Sequence, residues 1–327
     1  ALLALGDALF GRLDWWPPTS ADVGGTLVRA LGGTRREVPG RPAQRPSRFR
    51  DAGITILRTA APDLPEIWCR CDGGPHGFLS IAAHAHADAL SVEVRYDGVD
   101  ILADPGTYCY HGEPEWRSYF RSTIAHNTAE IGGQSQSLDG GPFLWQRHAR
   151  TRELAVQDPE LRWTAEHDGY TALSQAGHRR SVRLDEAARA LEITDIVDGA
   201  GYALRLAFHF GPDVEVELNG AEANLRWPSG ASGATARMEL PRQLAWSLHR
   251  GETDPILGWY SPALGRRVPA FSLLGTIGGA PGTPLTTRLQ FTESQDFRDD
   301  SVFRRPISLG QSNAGADKAS TTNEEAR

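Results

Sequence analysis

Short runs in which apolar and polar residues alternate fill most of the chain after residue 53. Alternation of this kind, interrupted by turn residues, is typical of antiparallel strands with one buried face. The clearest hairpin signal is the Asp97-Gly98 dipeptide between the runs at residues 90–96 and 99–102, because this pair suits a tight two-residue turn. Further alternating runs lie at residues 54–58, 67–71, 191–194, 202–210, 214–218 and 285–291. The pattern predicts a mainly β fold, a large antiparallel β-sandwich.

The first 31 residues have a helical pattern instead. Apolar residues at positions 2, 5, 9 and 13 fall on one helix face, and residues 20–31 fit a second short helix. The chain starts at Ala1 and not at a methionine, so we expect residues 1–31 to be the end of an upstream helical domain. Pro, Gly and Arg dominate residues 32–50, which indicates a linker. The sandwich is expected to cover residues 51–309, and the polar residues 310–327 are expected to be disordered.

Composition narrows the functional classes. The 327 residues carry a formal net charge of −7, which argues against a nucleic-acid-binding protein, since such proteins present a basic face. An anionic ligand would therefore need a local cationic pocket. The N-terminal segment has neither a basic leader nor the length of a bilayer span, so we expect no membrane span there.

The cysteines are few and odd in number. Cys69 and Cys71 are two residues apart on a predicted strand, which points them to one face but too far apart along it for comfortable bridging. We interpret them as buried thiols. A disulfide from either of them to Cys109 stays open.

Side chains suited to catalysis or metal binding are concentrated between residues 84 and 127. His84, His86 and Asp88 come first, Asp104 follows, and His126 lies near the end. Neutral imidazole nitrogens together with a carboxylate form a ligand set that suits zinc. On an ideal strand the first three residues would all face one way, about 7 Å apart per pair, which would place both early histidines on one metal.

These groups lie in three segments whose order is informative, and four further segments accompany them: residues 84–90, 102–110, 121–128, 132–137, 168–170, 178–180 and 258–261. Together the segments resemble the heparinase II/III-like polysaccharide lyases, specifically the C-terminal β-sandwich domain of that family. The resemblance covers roughly residues 48–305. It implies that residues 1–31 are the remnant of an (α/α) toroid that is otherwise missing from this chain.

The resemblance also implies roles for the residues of this region. It implies that His86, Asp104 and His126 bind a structural zinc ion, and that His84 is catalytic and faces the substrate. Asp88 is then expected to orient a metal-bound histidine, because such imidazoles usually need a hydrogen-bond partner.

Three more residues are candidates for contact with the substrate. Tyr108, Tyr110 and Tyr119 could each be a packed aromatic residue, and of the three we favour Tyr110 as the catalytic tyrosine. Arg117 and Arg121 are four residues apart, which would align them on one helical face, and guanidinium groups bind a carboxylate well. The implied reaction is β-elimination on a polysaccharide that contains uronic acid, in which a base removes the proton at C5 and an acid protonates the leaving O4.

The protein implied by the resemblance is a carbon–oxygen lyase acting on an anionic polysaccharide in the periplasm, in the cell envelope or outside the cell. The toroid completes the site in this family, so we expect the chain to supply the zinc-bearing half and to be inactive alone. Two other classes stay open. A zinc hydrolase would need a general-base carboxylate beside the metal, and the only Glu between residues 82 and 110 is Glu93. A non-catalytic carbohydrate-binding or structural sandwich would need neither feature.

Overall fold

The computed structural model describes residues 2–11, 22–31, 45–78, 81–157, 160–171, 176–198, 201–229, 233–279 and 282–293. The helices of these ranges are α1, Leu2–Phe10; α2, Val23–Ala30; and α3, Pro114–Arg121. Within the same ranges, no helix combines the length and the apolar character needed to cross a bilayer. The predicted tail and most of the predicted linker lie outside the described residues.

Helices α1 and α2 occur where the apolar pattern predicts them. The Asp22 side chain accepts a hydrogen bond from the Gly25 N–H at 2.6 Å and so caps α2. The two helices pack so closely at Gly25 that a Cβ atom there would lie 3.0 Å from the Ala4 carbonyl oxygen. Arg29 also pairs with Asp7 across the helices at 2.8 Å. Their membership of a toroid stays a prediction.

Strands form most of the remaining regular structure, apart from a 3₁₀ turn at Thr123–Ala125. In chain order the strands are β1 Arg48–Phe49, β2 Ile54–Arg58, β3 Ile67–Asp72, β4 Val92–Tyr96, β5 Val99–Leu102, β6 Ala129–Ile131, β7 Leu138–Gly141, β8 Leu144–Arg147, β9 Thr151–Gln157, β10 Arg162–His167, β11 Gly177–Asp185, β12 Ala190–Asp198, β13 Leu204–His209, β14 Glu215–Asn219, β15 Glu222–Trp227, β16 Ala234–Glu239, β17 Ala245–Arg250, β18 Glu252–Thr253, β19 Ile256–Leu257, β20 Trp259–Ala263, β21 Arg266–Pro269, β22 Phe271–Ile277 and β23 Leu285–Glu293. Burial alternates along β3, where Ile67, Cys69 and Cys71 are buried and the residues between them are not. Such alternation is what a half-buried strand requires.

Three larger sheets contain most of these strands, with the orders β1-β2-β3-β4-β5, β14-β15-β16-β23-β12-β11-β10-β9 and β17-β22-β13-β6. Neighbouring strands in each sheet are antiparallel. The turn between β4 and β5 consists of Asp97 and Gly98, as predicted, with φ values of 50° and 81°. Positive φ at both central positions is what a type I′ hairpin turn requires.

Two of these sheets meet edge to edge and form one layer of a sandwich. Where β5 ends, the Ala103 N–H donates to the His209 carbonyl oxygen of β13 at 2.9 Å, and Leu102 pairs with Phe210. The eight-stranded sheet forms the other layer, and apolar residues of both layers make one continuous core. The structure therefore confirms the predicted antiparallel β-sandwich.

The three cysteines are free thiols. Cys69 and Cys71 are fully buried in the sandwich core with their sulfur atoms 3.8 Å apart. Cys109 is half-buried in a separate apolar cluster that includes residues of α3. Burial raises the pKa of Cys71 well above its ordinary value, which makes this thiol a poor nucleophile.

The core-facing side of the eight-stranded sheet also carries buried ionisable residues, among them His178 and Arg180 on β11 and Asp195 on β12. The Asp195 carboxylate accepts hydrogen bonds from Arg180 at 2.7 and 3.0 Å and contacts His178 Nε2 at 2.7 Å. Arg180 also donates to the carbonyl oxygens of Leu90 and Asn127. This buried ion pair therefore ties the sheet to the two segments that contain the candidate histidines.

Candidate active site and metal centre

The segment of residues 84–90, called here the histidine loop, is not a strand. Ala82, just before it, and Leu90, at its end, have positive φ values of 46° and 61°, a conformation that few non-glycine residues adopt. The Ala87 carbonyl oxygen accepts a hydrogen bond from the Gln136 amide at 2.7 Å. Because a side chain and not a neighbouring strand holds the loop there, strand alternation does not govern the directions of its two histidines.

His84 lies on the exposed side of the histidine loop. Its Nδ1 atom is 3.1 Å from the Tyr110 hydroxyl oxygen, which is a hydrogen-bonding distance. The two rings meet edge to face with their centroids 5.3 Å apart, and the Tyr110 ring stacks on Phe143. The structure thus brings together the two residues that the sequence proposes as catalytic.

His86 and His126 form a second, buried pair. Their ring centroids are 5.2 Å apart, and only 9% of His86 and none of His126 is exposed. The Nε2 atom of each ring is buried without a hydrogen-bond partner among the described residues, which is costly for a polar atom. Burial and the adjacent His126 lower the pKa of His86 to about 3. This imidazole is therefore neutral at physiological pH, as a metal ligand must be.

Asp104 contacts the other nitrogen of the His126 ring. Its Oδ2 atom is 2.9 Å from His126 Nδ1, and its Oδ1 atom accepts a hydrogen bond from the Gly106 N–H at 2.9 Å. Burial alone would raise the pKa of Asp104, but His126 lowers it below its ordinary value. Burial would lower the pKa of His126, but Asp104 raises it. A carboxylate in this position fixes the imidazole ring and makes its Nε2 a better metal ligand.

Asp88 is the second carboxylate at this centre. One donor atom each from His86, Asp88 and His126 lies within 4.8 Å of the other two. Burial, and then Asp72 and Asp104, raise the pKa of Asp88 to about 7 against the opposing effect of His126. Within the described chain, no group donates a hydrogen bond to this carboxylate.

This set of donors fits a divalent cation such as zinc. Two buried imidazole nitrogens without partners and a carboxylate with uncommitted oxygens converge in one place, which is the donor chemistry that zinc selects. The sequence-based ligand set of His86, Asp104 and His126 stays a prediction. The geometry offers an alternative in which Asp88 is the ligand and Asp104 orients His126.

Arg117 and Arg121 share one face of α3, as their spacing predicts, but this face is buried. The two residues are 3% and 2% exposed. The Arg117 guanidinium lies 4.9 Å from the Tyr110 ring centroid and donates to the Pro142 carbonyl oxygen at 3.2 Å, while Arg121 donates to the Gly141 carbonyl oxygen at 2.6 Å. Their observed contacts hold Tyr110 and the β7–β8 hairpin in place. Direct contact with a substrate carboxylate stays a prediction.

Two residues that brace the site were not predicted from the sequence. The Asn127 amide donates to the carbonyl oxygens of Val92 and Ala103 at 2.8 and 3.0 Å. Its side-chain oxygen accepts a hydrogen bond from the His209 N–H at 2.6 Å. Arg180 is the other residue, and its position on the inward-facing side of β11, in line with Val182 and Leu184, is a signal that could have revealed it.

An open cleft with a volume of about 810 Å³ adjoins these groups, and His84, His86 and Asp88 line it. This volume lies within the usual range for ligand sites. Glu93 also lines the cleft, but its carboxylate is paired with Arg70. Because the Glu93 carboxylate is occupied by this ion pair, it is not free to act as the general base of a zinc hydrolase.

The sequence is similar to a known protein family and to a known enzyme. The profile of the family described as Heparinase II/III-like, C-terminal, matches residues 41–292. A heparin-sulfate lyase of Bacteroides stercoris is 27% identical over 93 residues, which correspond to 27% of this chain and 13% of that protein.

Two solved structures share the fold. A heparinase III gene product is 18% identical with a TM-score of 0.59, and the match covers 83% of this chain and 39% of that chain. The heparan sulfate lyase HepC from Pedobacter heparinus is 13% identical with a TM-score of 0.60, and the match covers 83% and 39% of the two chains. The chain thus spans about two fifths of the length of these solved relatives. Since the family profile covers most of its residues, the chain belongs to the heparinase II/III-like family and corresponds to the C-terminal domain of that family.

Proposed function

We propose that this chain supplies the zinc-bearing half of the active site of a polysaccharide lyase. The enzyme would cleave a polysaccharide that contains uronic acid, by β-elimination. The observation that carries the proposal is the hydrogen-bonded pair of His84 and Tyr110 beside the open cleft. An imidazole and a phenol within reach of one sugar are the base and the acid that the reaction needs. The names of two relatives, a heparin-sulfate lyase and a heparan sulfate lyase, point to the same class of reaction.

In this proposal His84 is the general base and Tyr110 is the general acid. If the Nδ1–H of His84 donates to the Tyr110 oxygen, the Nε2 lone pair is available as a base and the phenol proton is available as an acid. Nε2 then takes the proton from C5 of the uronate, and the electron pair of that C–H bond forms the C4–C5 double bond. The C4–O4 bond breaks, and its oxygen takes the phenol proton. The products are an unsaturated uronate and a new free hydroxyl group.

The chain's own residues also support the reacting pair. Arg117 packs its guanidinium against the Tyr110 ring, and a positive charge beside the ring favours the phenolate left after proton transfer. The Phe143 ring stacks on the Tyr110 ring with centroids 5.7 Å apart and meets the His84 ring edge to face with centroids 6.5 Å apart. Packing on both rings limits their rotation and keeps the acid and the base in one geometry.

Zinc has a structural role in this proposal. His86 and His126 would hold it, together with Asp88 or Asp104. When bound, the ion would link the histidine loop to the segment that carries His126. Such a link would fix the loop that presents His84, because a metal–ligand bond removes freedom from both segments.

A complete site requires groups on both sides of the sugar, because catalysis depends on positioned residues around the reacting atoms. We propose that an N-terminal toroid domain provides the other side, and that the chain without it gives no measurable product. A substrate of this kind lies outside the cytoplasm, so we also propose a periplasmic, envelope or secreted location.

The test is an assay of the full-length gene product that contains this chain, on heparan sulfate and on alginate, followed by the ultraviolet absorbance of the unsaturated uronate. We expect turnover that His84→Ala and Tyr110→Phe each lower by about a hundredfold or more, the usual contribution of a general acid or base. The matched control is His249→Ala on β17, a histidine outside the cleft, with turnover near that of the unmutated protein. Undiminished turnover in the His84 variant would contradict the proposal.

A further inference from the structure

A second groove continues from the catalytic cleft. Its volume is about 570 Å³, and its walls include Arg50, His148 and Arg150. The cleft and the groove share the residues of the segment at positions 75–78 and Ala149 as lining. A neighbouring recess of about 540 Å³ shares His148 and Arg150 with the groove and adds Arg147. The groove and the recess, called here the track, therefore continue from the cleft along this face.

Three arginines line the track, together with one carboxylate, that of Asp168 in the recess. Arg50 and Arg150 are exposed and Arg147 is half-exposed, and none of the three pairs with a carboxylate of the described chain. By contrast, Arg152 and Arg179, on the strands just beyond the track, both pair with Glu166. Three unpaired guanidinium groups close together are unexpected on a chain whose net charge is −7, since exposed cations usually find carboxylate neighbours on an acidic surface.

The cleft itself has the opposite charge character. Besides the two carboxylates of the metal centre, Asp51, Asp72 and Glu93 line it. Arg70 also lines the cleft, but it is already paired with Asp72 and Glu93. Arg117 and Arg121 are buried. A polyanion that entered only the cleft would thus meet no arginine that is free of a carboxylate partner among the described residues. The attraction for a long anionic chain must therefore come from the track beside the cleft.

An aromatic ring marks the junction of the two spaces. Phe78 lines both the cleft and the groove and is 83% exposed. Single exposed apolar side chains are common on protein surfaces, so what sets this ring apart is its position at the junction of the two spaces. Its flat face can pack against the apolar C–H face of a sugar ring, while the arginines beyond it contact the charged groups of the next sugars.

We propose that Arg50, Arg147 and Arg150, with Phe78 at the junction, form a distal subsite for an anionic polysaccharide whose reacting uronate lies in the cleft. The subsite binds carboxylate or sulfate groups several sugars away from the bond that is cleaved. The substrate class rests on the function proposed above. The consequence is that affinity depends on the length of the sugar chain, because a disaccharide fills the cleft and a dodecasaccharide also reaches the track.

The experiment measures binding by this chain and needs no turnover. The test variant is Arg50→Ala/Arg147→Ala/Arg150→Ala. The control variant is Arg162→Ala/Arg242→Ala/Arg266→Ala, which removes the same charge at three exposed arginines that do not line the track. Heparin dodecasaccharide, alginate dodecasaccharide and heparin disaccharide are titrated by calorimetry at low and at physiological salt.

We expect the test variant to bind both dodecasaccharides about tenfold or more weakly at low salt and with a shallower salt dependence, since fewer counterions are released. The control variant should stay close to the unmutated chain, and the disaccharide should not distinguish the three proteins. If only the heparin dodecasaccharide binds, and the test variant loses this binding, the result would support a subsite that recognises sulfate groups. Phe78→Ala should weaken both dodecasaccharides without changing the salt dependence.

Equal losses in the test and control variants would overturn the subsite, because only overall charge would then matter. Unchanged binding in the test variant would overturn it as well. Double-stranded DNA that binds as tightly as the dodecasaccharides and is lost in the same variant would show a general polyanion surface and would also overturn it. Absence of elimination by the full-length protein, with the expected binding differences intact, would count against the proposed function and leave the subsite in place.

Discussion

Replacing Asp195 by alanine would leave the Arg180 guanidinium charged and unpaired in the sandwich core. Neither side chain has any solvent exposure, and Asp195 accepts two hydrogen bonds from Arg180, at 2.7 and 3.0 Å. Removing one partner of a buried ion pair costs about 3–5 kcal/mol, because the remaining charge stays desolvated. We therefore expect the free energy of unfolding of Asp195→Ala to fall by about this amount.

Thermal and urea denaturation measure this loss. At about 2–4 °C per kcal/mol for a domain of this size, the melting temperature should fall by about 6–20 °C. The matched control is Asp198→Ala, an exposed carboxylate at the end of the same strand, which should change stability by no more than about 0.5 kcal/mol. The double variant Arg180→Met/Asp195→Leu removes both charges and should recover much of the loss.

The pH dependence gives the same test a second readout. Burial opposes ionisation, but Arg180 and His178 lower the pKa of Asp195 from 3.8 to about 2. A carboxylate whose pKa is lowered in the folded state stabilises the protein above the pKa of the unfolded state, and this contribution is lost as the pH falls through the folded value. The stability difference between the unmutated chain and Asp195→Ala should therefore shrink between pH 4 and pH 2. A difference that does not depend on pH, or a double variant as unstable as the single one, would refute the reasoning.

The remaining predictions concern the metal centre. His86→Ala should lose zinc and stability, whereas His84→Ala should keep both, and equal zinc loss in metal analysis of the two purified variants would place both histidines on the metal. Asp88→Asn and Asp104→Asn separate the two carboxylates: the ligand variant should lose the metal, and the orienting variant should weaken zinc affinity by about ten- to a hundredfold in a chelator competition. If both variants keep full affinity, neither carboxylate is at the metal. Acidification should weaken zinc binding mainly by protonating His126, whose pKa Asp104 raises, because His86, with its pKa lowered to about 3, stays neutral over most of the acidic range. Zinc affinity that does not change between about pH 7 and pH 4 would speak against His126 as a ligand.

Much of the fold could be predicted from local patterns, because each strand needs only an alternating run and a turn. The Asp97-Gly98 turn shows why this works: both residues tolerate positive φ, so two residues define the hairpin by themselves. The β12 run was predicted for residues 191–194, and the structure extends it to Ala190–Asp198. Its continuation contains Asp195, whose burial depends on a partner on another strand that no local pattern reveals.

The histidine loop shows where local reasoning fails. The alternation of His84, His86 and Asp88 imitates a strand, but the loop is held by hydrogen bonds from distant residues, among them Gln136, 49 positions further along the chain. Their effect is that His84 faces Tyr110 and His86 faces His126. The resemblance to a family assigned different roles to the two histidines, which the period of a strand could not do. The structure places the two side chains against different partners, and their roles stay a prediction.

The arginines of α3 show a different limit. Their spacing correctly predicted one shared helical face for Arg117 and Arg121, but spacing does not say whether that face meets solvent or protein. The β7–β8 hairpin covers it and offers backbone carbonyl oxygens to both guanidinium groups. Burial of a charged face depends on a segment about 20 residues further along the chain, so it becomes visible only in the folded protein.

The central claim, that this chain forms one half of a uronate lyase site, is tested most directly by the ultraviolet absorbance of an unsaturated uronate. Two proteins are incubated with the same uronate polysaccharide: the full-length gene product that contains the chain, and residues 1–327 alone. We predict product from the first and none from the second. No product from the full-length protein on any uronate polysaccharide would contradict the lyase function, and product from the chain alone would contradict the half-site.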